Sequence, residues 1–197
     1  MRIDRTVKSA LLLAAFLAAV AGCGYKYISG YTSDPSELGR IRSIAVMPFE
    51  NLARHYQAGL IAADLLGTEL YISRRFRVME RSEVQKLCGE RGINLPESVD
   101  PEFAQEIGKM LGVDGVIIGS VSEYWYRVSR EADEDAEPAV GLNARLVDVA
   151  TGEVLWACSA TRSSYDFFSA QKDPLNRVAQ IVVREMVDML IKEMPKR

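Results

Sequence analysis

The longest unbroken apolar run is Ala10–Ala21, twelve residues without a charge. As a helix it would span about 18 Å, well short of the ~30 Å hydrocarbon core of a bilayer. Arg2, Arg5 and Lys8 precede it, diluted by Asp4. Length and flanks are those of a signal-peptide h-region, so the run is set apart from the fold.

Downstream, the pattern alternates between strand and helix periods. Ile44-Ala45-Val46-Met47 reads as a short strand covered on both faces, ended by Pro48. Residues 54–73 read as a helix with an apolar stripe of Leu60, Ile61, Leu65, Leu66, Leu70 and Ile72, weakened by Gly59 and Gly67, which permit close packing. Arg77-Val78-Met79 is a second strand. Ser82-Glu83-Val84-Gln85 has the spacing of a capping box, and Gly89 and Gly92 suit the end of that helix. Asp100-Pro101 opens a third helix, with Phe103, Ile107, Met110 and Leu111 on one face and Gly112 at its close. Gly115–Tyr126 is the clearest strand. Val140–Val149 and Glu153–Arg162 form a hairpin around Ala150-Thr151-Gly152. After Asp173-Pro174, a last helix carries Leu175, Val178, Val182, Met186, Leu190 and Met194 at helical spacing.

The order β-α-β-α-α-β-β-β-α predicts an α/β fold: a mixed parallel/antiparallel sheet with helices packed on its faces, in a single domain over 41–197. Residues 24–40, rich in Gly, Tyr and Ser with a turn at Asp34-Pro35, read as a tether reaching at most ~60 Å.

Cysteine changes the picture most. Val20-Ala21-Gly22-Cys23 resembles a bacterial lipobox, in which the signal peptidase cuts between Gly22 and Cys23 and the thiol takes a diacylglycerol. The new amine then takes a third acyl chain, more than the two signals that stable anchoring needs. The other reading is an ordinary signal peptide with an A-x-A cut. The expected division is a signal peptide over 1–22, a lipidated tether over 23–40 and the periplasmic domain beyond. Gly24, rather than aspartate, follows the Cys and favours the outer membrane, with the domain on its periplasmic face. Cys88 and Cys158 remain in a compartment that permits disulfides. Spacing does not decide whether they pair, and two separate buried thiols are the simpler expectation.

Net charge is -3 and the pI near 5.4, which excludes the basic footprint of a nucleic-acid binder. Removal of 1–22 leaves 175 residues carrying -5.

Four segments carry a resemblance. They are Ile44-Ala45-Val46-Met47-Pro48-Phe49-Glu50-Asn51, Val78-Met79-Glu80-Arg81-Ser82-Glu83-Val84, Leu111–Val121, and Leu146–Trp156 with its Asp148…Thr151-Gly152-Glu153 turn. In order and spacing the group, over about 41–160, resembles the curli-secretion CsgG-like lipoproteins and their PelC-like and LpoB-like relatives. The resemblance implies a non-enzymatic outer-membrane lipoprotein that self-associates and meets outer-membrane or periplasmic partners in an export or assembly machine. Membrane-spanning hairpins of curli-type channels need alternating strands of roughly 9–11 residues. The segment after Tyr126 is acidic instead. LpoB-type activators, the alternative reading, need a long arm to reach a periplasmic enzyme such as a peptidoglycan synthase. The compact PelC-like form fits best by size and implies a periplasmic ring.

Enzyme chemistry is thinly represented. His55 is the single His, without neighbours for a zinc set. There is no G-x-S-x-G elbow and no phosphate loop, so no catalytic residue, cofactor or metal is expected. Two non-catalytic features stand out. Alternation puts Tyr124 and Tyr126 on one face and Trp125 on the other. Trp125, with Tyr165, Phe167 and Phe168, reads either as core packing and a loop plug or as a partner or membrane contact. Glu131, Asp133, Glu134, Asp135 and Glu137 form an acidic loop. It is either simply solvated or, repeated around a ring, a negative rim that attracts a cationic polymer.

The lipobox reading makes the first prediction. Mass spectrometry of the native protein should find an acylated N-terminus at Cys23, and Cys23→Ala should leave the membrane fraction. A Cys23→Ala protein that stays membrane-bound would contradict the anchor.

Overall fold

The computed structural model describes residues 26–79, 81–128, 136–163 and 174–195. In chain order the elements are β1 (Lys26–Thr32), α1 (Pro35–Leu38), β2 (Ser43–Val46), β3 (Glu50–Asn51), α2 (Ala58–Ile72), β4 (Arg77–Met79), α3 (Arg81–Glu90), α4 (Pro101–Leu111), β5 (Gly115–Val128), β6 (Ala136–Asp148), β7 (Val154–Ser163) and α5 (Leu175–Glu193). The strands make one sheet in the order β1-β7-β6-β5-β2-β4, with β3 paired to β5 beyond the end of β2. β2 is parallel to β4 and β5, while β5, β6, β7 and β1 are joined antiparallel. This is the mixed α/β sheet that the alternation predicts.

Each face has its own core. α2 and α5 cover one face, against Ile44, Ile117, Leu142, Leu146, Trp156 and their neighbours. α3 and α4 cover the other, against Ala45, Met47, Val116, Ile118, Val147 and Val149. The six apolar positions assigned to the last helix, Leu175, Val178, Val182, Met186, Leu190 and Met194, are all buried. α4 forms as its caps dictate. Asp100 accepts a hydrogen bond from the Phe103 N–H at 2.7 Å, Pro101 takes the first turn, and Gly112 closes the helix at φ +67°.

Three expectations are corrected. The stretch expected to be a tether is folded from Lys26 onward. β1 pairs with β7 from Lys26↔Arg162 to Thr32↔Trp156. An edge strand is held by its ladder, so it needs little apolar content, and only Ile28 packs on the core. Asp34 then caps α1 by accepting from the Ser36 N–H. In α2 the buried residues are chiefly Ala58, Ala62, Ala63, Leu66 and Leu70, whereas Leu60 and Ile72 are exposed. Small residues win because the helix lies tight on the sheet. A Cβ on Gly59 would fall 2.1 Å from the Phe49 carbonyl oxygen, while Gly67 has open space. Lastly, α3 starts at Arg81, so Ser82 sits inside the helix rather than capping it.

One carboxylate ties the two halves of the sheet. Asp114, just before β5, accepts from the N–H groups of Arg42 and Ser43 at 2.9 and 2.8 Å and from the Ser43 hydroxyl at 2.9 Å. Burial pushes its pKa up, but those hydrogen bonds and the Arg77 charge outweigh it and leave the carboxyl below its ordinary 3.8. The ionised clasp therefore contributes fully above that value and is lost as pH falls through the lower folded value. Asp114→Ala should lose about 1–3 kcal/mol in urea unfolding at pH 7. The gap to wild type should narrow below pH 3.8; a gap independent of pH would contradict the clasp.

Candidate interaction surfaces

β6 reads Val140-Gly141-Leu142-Asn143-Ala144-Arg145-Leu146. Its apolar positions point to the α5 side, and the alternate positions point to the opposite face. There α3 and α4 cover only β2 and the adjoining parts of β5 and β6. Among the described residues no helix lies over the rest of that face, from β1 across β7 and β6 to the far half of β5, although Gly141, Ala139 and Ser163 on it are buried.

Register arranges the open face in rows. Ser29, Ser159, Asn143 and Ser120 stand side by side across four strands, a row about 14 Å long at the usual strand spacing. On one side of it lie Tyr31, Ala157 and Arg145, and on the other Tyr27, Thr161 and Gly141. A further row holds Ser163, Ala139 and Trp125. Cavities of about 460 Å³, bounded by Tyr31, Ser159 and Arg145, and about 140 Å³, bounded by Glu50, Ser98 and Asn143, sit over these residues. The Ser98 hydroxyl donates to Glu50 at 3.0 Å. Arg145 is exposed, and among the described residues it makes no ion pair. The surface is small, flat and hydrogen-bonding, with tyrosines along its β1 edge.

A second hollow, about 430 Å³, lies between α2 and β4 and is lined by Asp64, Gly67, Tyr71, Val78 and Arg81. Arg81 donates to both Asp64 oxygens, at 2.6 and 3.0 Å. Both partners are substantially exposed, so the pair is worth at most ~1 kcal/mol and acts as a latch between α2 and α3.

Among the described residues reactive groups do not converge, and no set of three His, Cys, Asp or Glu is placed to hold a metal. His55 is exposed, its ring 5.1 Å from the Tyr124 ring and tilted to it. The Tyr124 hydroxyl donates to Asn176 at 2.5 Å, and burial followed by the neighbouring Tyr126 raises its pKa, so it stays a neutral phenol. Cys88 and Cys158 are free, buried and on opposite faces of the sheet. They cannot meet, which settles the open question of pairing. Burial pushes the Cys158 thiol up to about 11 and raises Cys88 as well, where Arg91 only partly offsets it. Among the described residues no helix is long and apolar enough to cross a membrane.

Of the residues singled out in the sequence, Trp125 lies on the open face, with Tyr124 and Tyr126 on the other, as alternation requires. Tyr124 is in the core, while Trp125 and Tyr126 are largely exposed. Gly22, Cys23, Glu131, Asp133, Glu134, Asp135, Tyr165, Phe167 and Phe168 lie outside the described residues. Glu137 falls in β6, but its side chain is likewise outside them. The Ser29–Ser120 row and the Tyr27/Tyr31 edge were missed. The polar alternation in β6 signalled such a face, but only strand order assembles it.

The fold is a mixed α/β domain whose sheet face is only partly covered by helices among the described residues. The family described as curli production assembly/transport component CsgG matches residues 29–173, well over half of the chain. The chain belongs to that family. The match begins inside β1, consistent with folded structure there. The PelC dodecamer from Paraburkholderia phytofirmans superposes with a TM-score of 0.61 at 19% identity, over 87% of this chain and 100% of that one. Lipoprotein GNA1162 from Neisseria meningitidis gives 0.54 at 21% identity, over 77% and 99%. The LpoB C-terminal domain from Salmonella enterica gives 0.46 at 17%, over 64% and 84%. At these identities the likeness is one of fold. No curated protein matches by sequence.

The thiol environments give a prediction. In native protein at pH 8, neither Cys88 nor Cys158 should react with an aromatic disulfide reagent within minutes, and both should react on unfolding. Recovery of a Cys88–Cys158 bridge from native protein would overturn the two-sided placement.

Proposed function

We propose that this protein is a non-enzymatic, lipid-anchored component of the bacterial envelope, held through Cys23 on the periplasmic face of the outer membrane. It works by self-association and by docking to envelope partners in an export or assembly machine. The observation that carries this reading is the CsgG family match over 29–173, together with a fold shared along the full length of a protein solved as a dodecamer. Ring formation also gives the acidic residues between β5 and β6 and at the start of β6 a use. Many copies of Glu131, Asp133, Glu134, Asp135 and Glu137 would form a negative rim, which concentrates a cationic polymer at the mouth of a pore.

The alternative, an activator of a distant periplasmic enzyme, needs reach. β1 begins at Lys26, three residues after Cys23, and those residues extend at most about 11 Å. The domain is therefore held at its own membrane, which favours the export or assembly role.

Sedimentation of the mature protein in detergent tests the proposal. A closed oligomer of many subunits is the expected result. A strict monomer of 175 residues at working concentrations would remove the ring and return the activator reading.

A further inference from the structure

Among the described residues no helix lies over the open part of the sheet face, and the chain itself says what lies nearby. If Cys23 carries lipid, as proposed above and as this inference requires, the start of β1 is within about 11 Å of the headgroups. β1 is no loose leader. It pairs with β7 along its whole length, Ile28 packs on the core, and Gly30 lies against Met189. The lipid is thus fixed to one corner of the sheet, and the orientation of the domain at the membrane follows from which surfaces meet at that corner.

Register identifies them. Lys26 is level with Arg162, Val140 and Tyr124 across the sheet. Trp125 is one position further toward the same end, on the open face. Tyr27 and Tyr31 project from β1 on that same face, about 13 Å apart at the strand rise. All three rings are substantially exposed, Trp125 at 41%, whereas the other tryptophan, Trp156, is 1% exposed in the core. Between them lie Ser29, Ser159, Thr161 and the buried Gly141 with Glu123 beside it, Ala139 and Ser163 are buried in the row of Trp125, and Arg145 lies beyond.

We propose that this corner of the open face, marked by Tyr27, Tyr31 and Trp125, rests obliquely in the headgroup layer of the membrane that holds the lipid. Tyr and Trp are the side chains that settle at a bilayer interface, with an apolar ring toward the acyl boundary and a polar atom toward water. The serine and threonine floor meets headgroup oxygens and water by hydrogen bonds. Arg145, without a carboxylate partner among the described residues, meets phosphate. The contact does not depend on anionic lipid. Lys26 and Arg162 already share Glu185, and the segment joining β5 to β6 carries Glu131, Asp133, Glu134 and Asp135. Binding therefore occurs on zwitterionic bilayers and persists in salt.

Trp125 reports the contact directly. The acylated mature protein is placed in phosphatidylcholine vesicles with and without bromine near the acyl carbonyl end, and the emission of Trp125→Phe is subtracted to isolate Trp125. Bromine should lower that emission about twofold, as expected for an indole at the interface, and Tyr27→Ser/Tyr31→Ser should weaken the quenching while acylation and circular dichroism stay unchanged. Mass spectrometry of the same sample separates two failures. Acyl chains present with Trp125 unquenched would overturn the contact alone. Acyl chains absent would overturn the anchor and the contact with it. If aqueous acrylamide cannot reach Trp125 in the detergent-solubilised oligomer, the face is an interface between copies, and the membrane contact is likewise overturned.

Discussion

A residue adds about 3.3 Å to a strand but only 1.5 Å to a helix, and this mismatch governs the molecule. β5 has 14 residues and runs about 46 Å, while the 11 residues of α4 cover about 16 Å and the 10 of α3 about 15 Å. Laid over β2 and the start of β5, those two helices leave the rest of their face without a helix among the described residues. On the other face α5 alone supplies 19 residues, and with α2 it fills the sheet side with apolar contact. One layer is complete and the other is not. Every surface available for partners on the open side follows from that inequality.

The central strand also joins two kinds of architecture. At its start β5 lies beside the parallel β2, locked by the Asp114 clasp, and the sheet there is buried on both faces. Further along, β5 outruns β2 and is held by the antiparallel β6, with a register shift between Val121 and Glu123. The parallel part behaves as a stability core, with near-continuous apolar strands such as Ile44–Met47. The antiparallel part alternates, apolar toward α5 and polar toward solvent. The part buried on both faces and the part that alternates are consecutive stretches of one strand.

Anchoring acquires structural meaning because β1 closes the far edge of the sheet. A flexible leader would leave orientation free and make any face equally available to the bilayer. With the first strand three residues from the proposed lipid site, the attachment point, the free sheet edge and the exposed tyrosines coincide. On the proposed reading, self-association and membrane contact would then use a domain whose height and tilt are restrained.

The sequence by itself determined much of this protein. The α4 caps at Asp100, Pro101 and Gly112, the β6–β7 hairpin, the apolar stripe of α5 and the alternation about Trp125 were all legible, because each rests on contacts within a few residues. The family resemblance was legible for the same reason, in four local strand and turn segments. Only the tertiary structure decided the rest. β1 lacks apolar periodicity and exists because β7 offers an edge; the alanines of α2 are buried because the sheet approaches closely; Cys88 and Cys158 are kept apart by a sheet that neither neighbourhood announces. The open face is the clearest case. Ser29, Ser120, Asn143 and Ser159 sit on four strands far apart in the chain, and nothing local brings them into a row. Strand order does that, and strand order is fixed by the long-range ladders and helix packing of the whole domain.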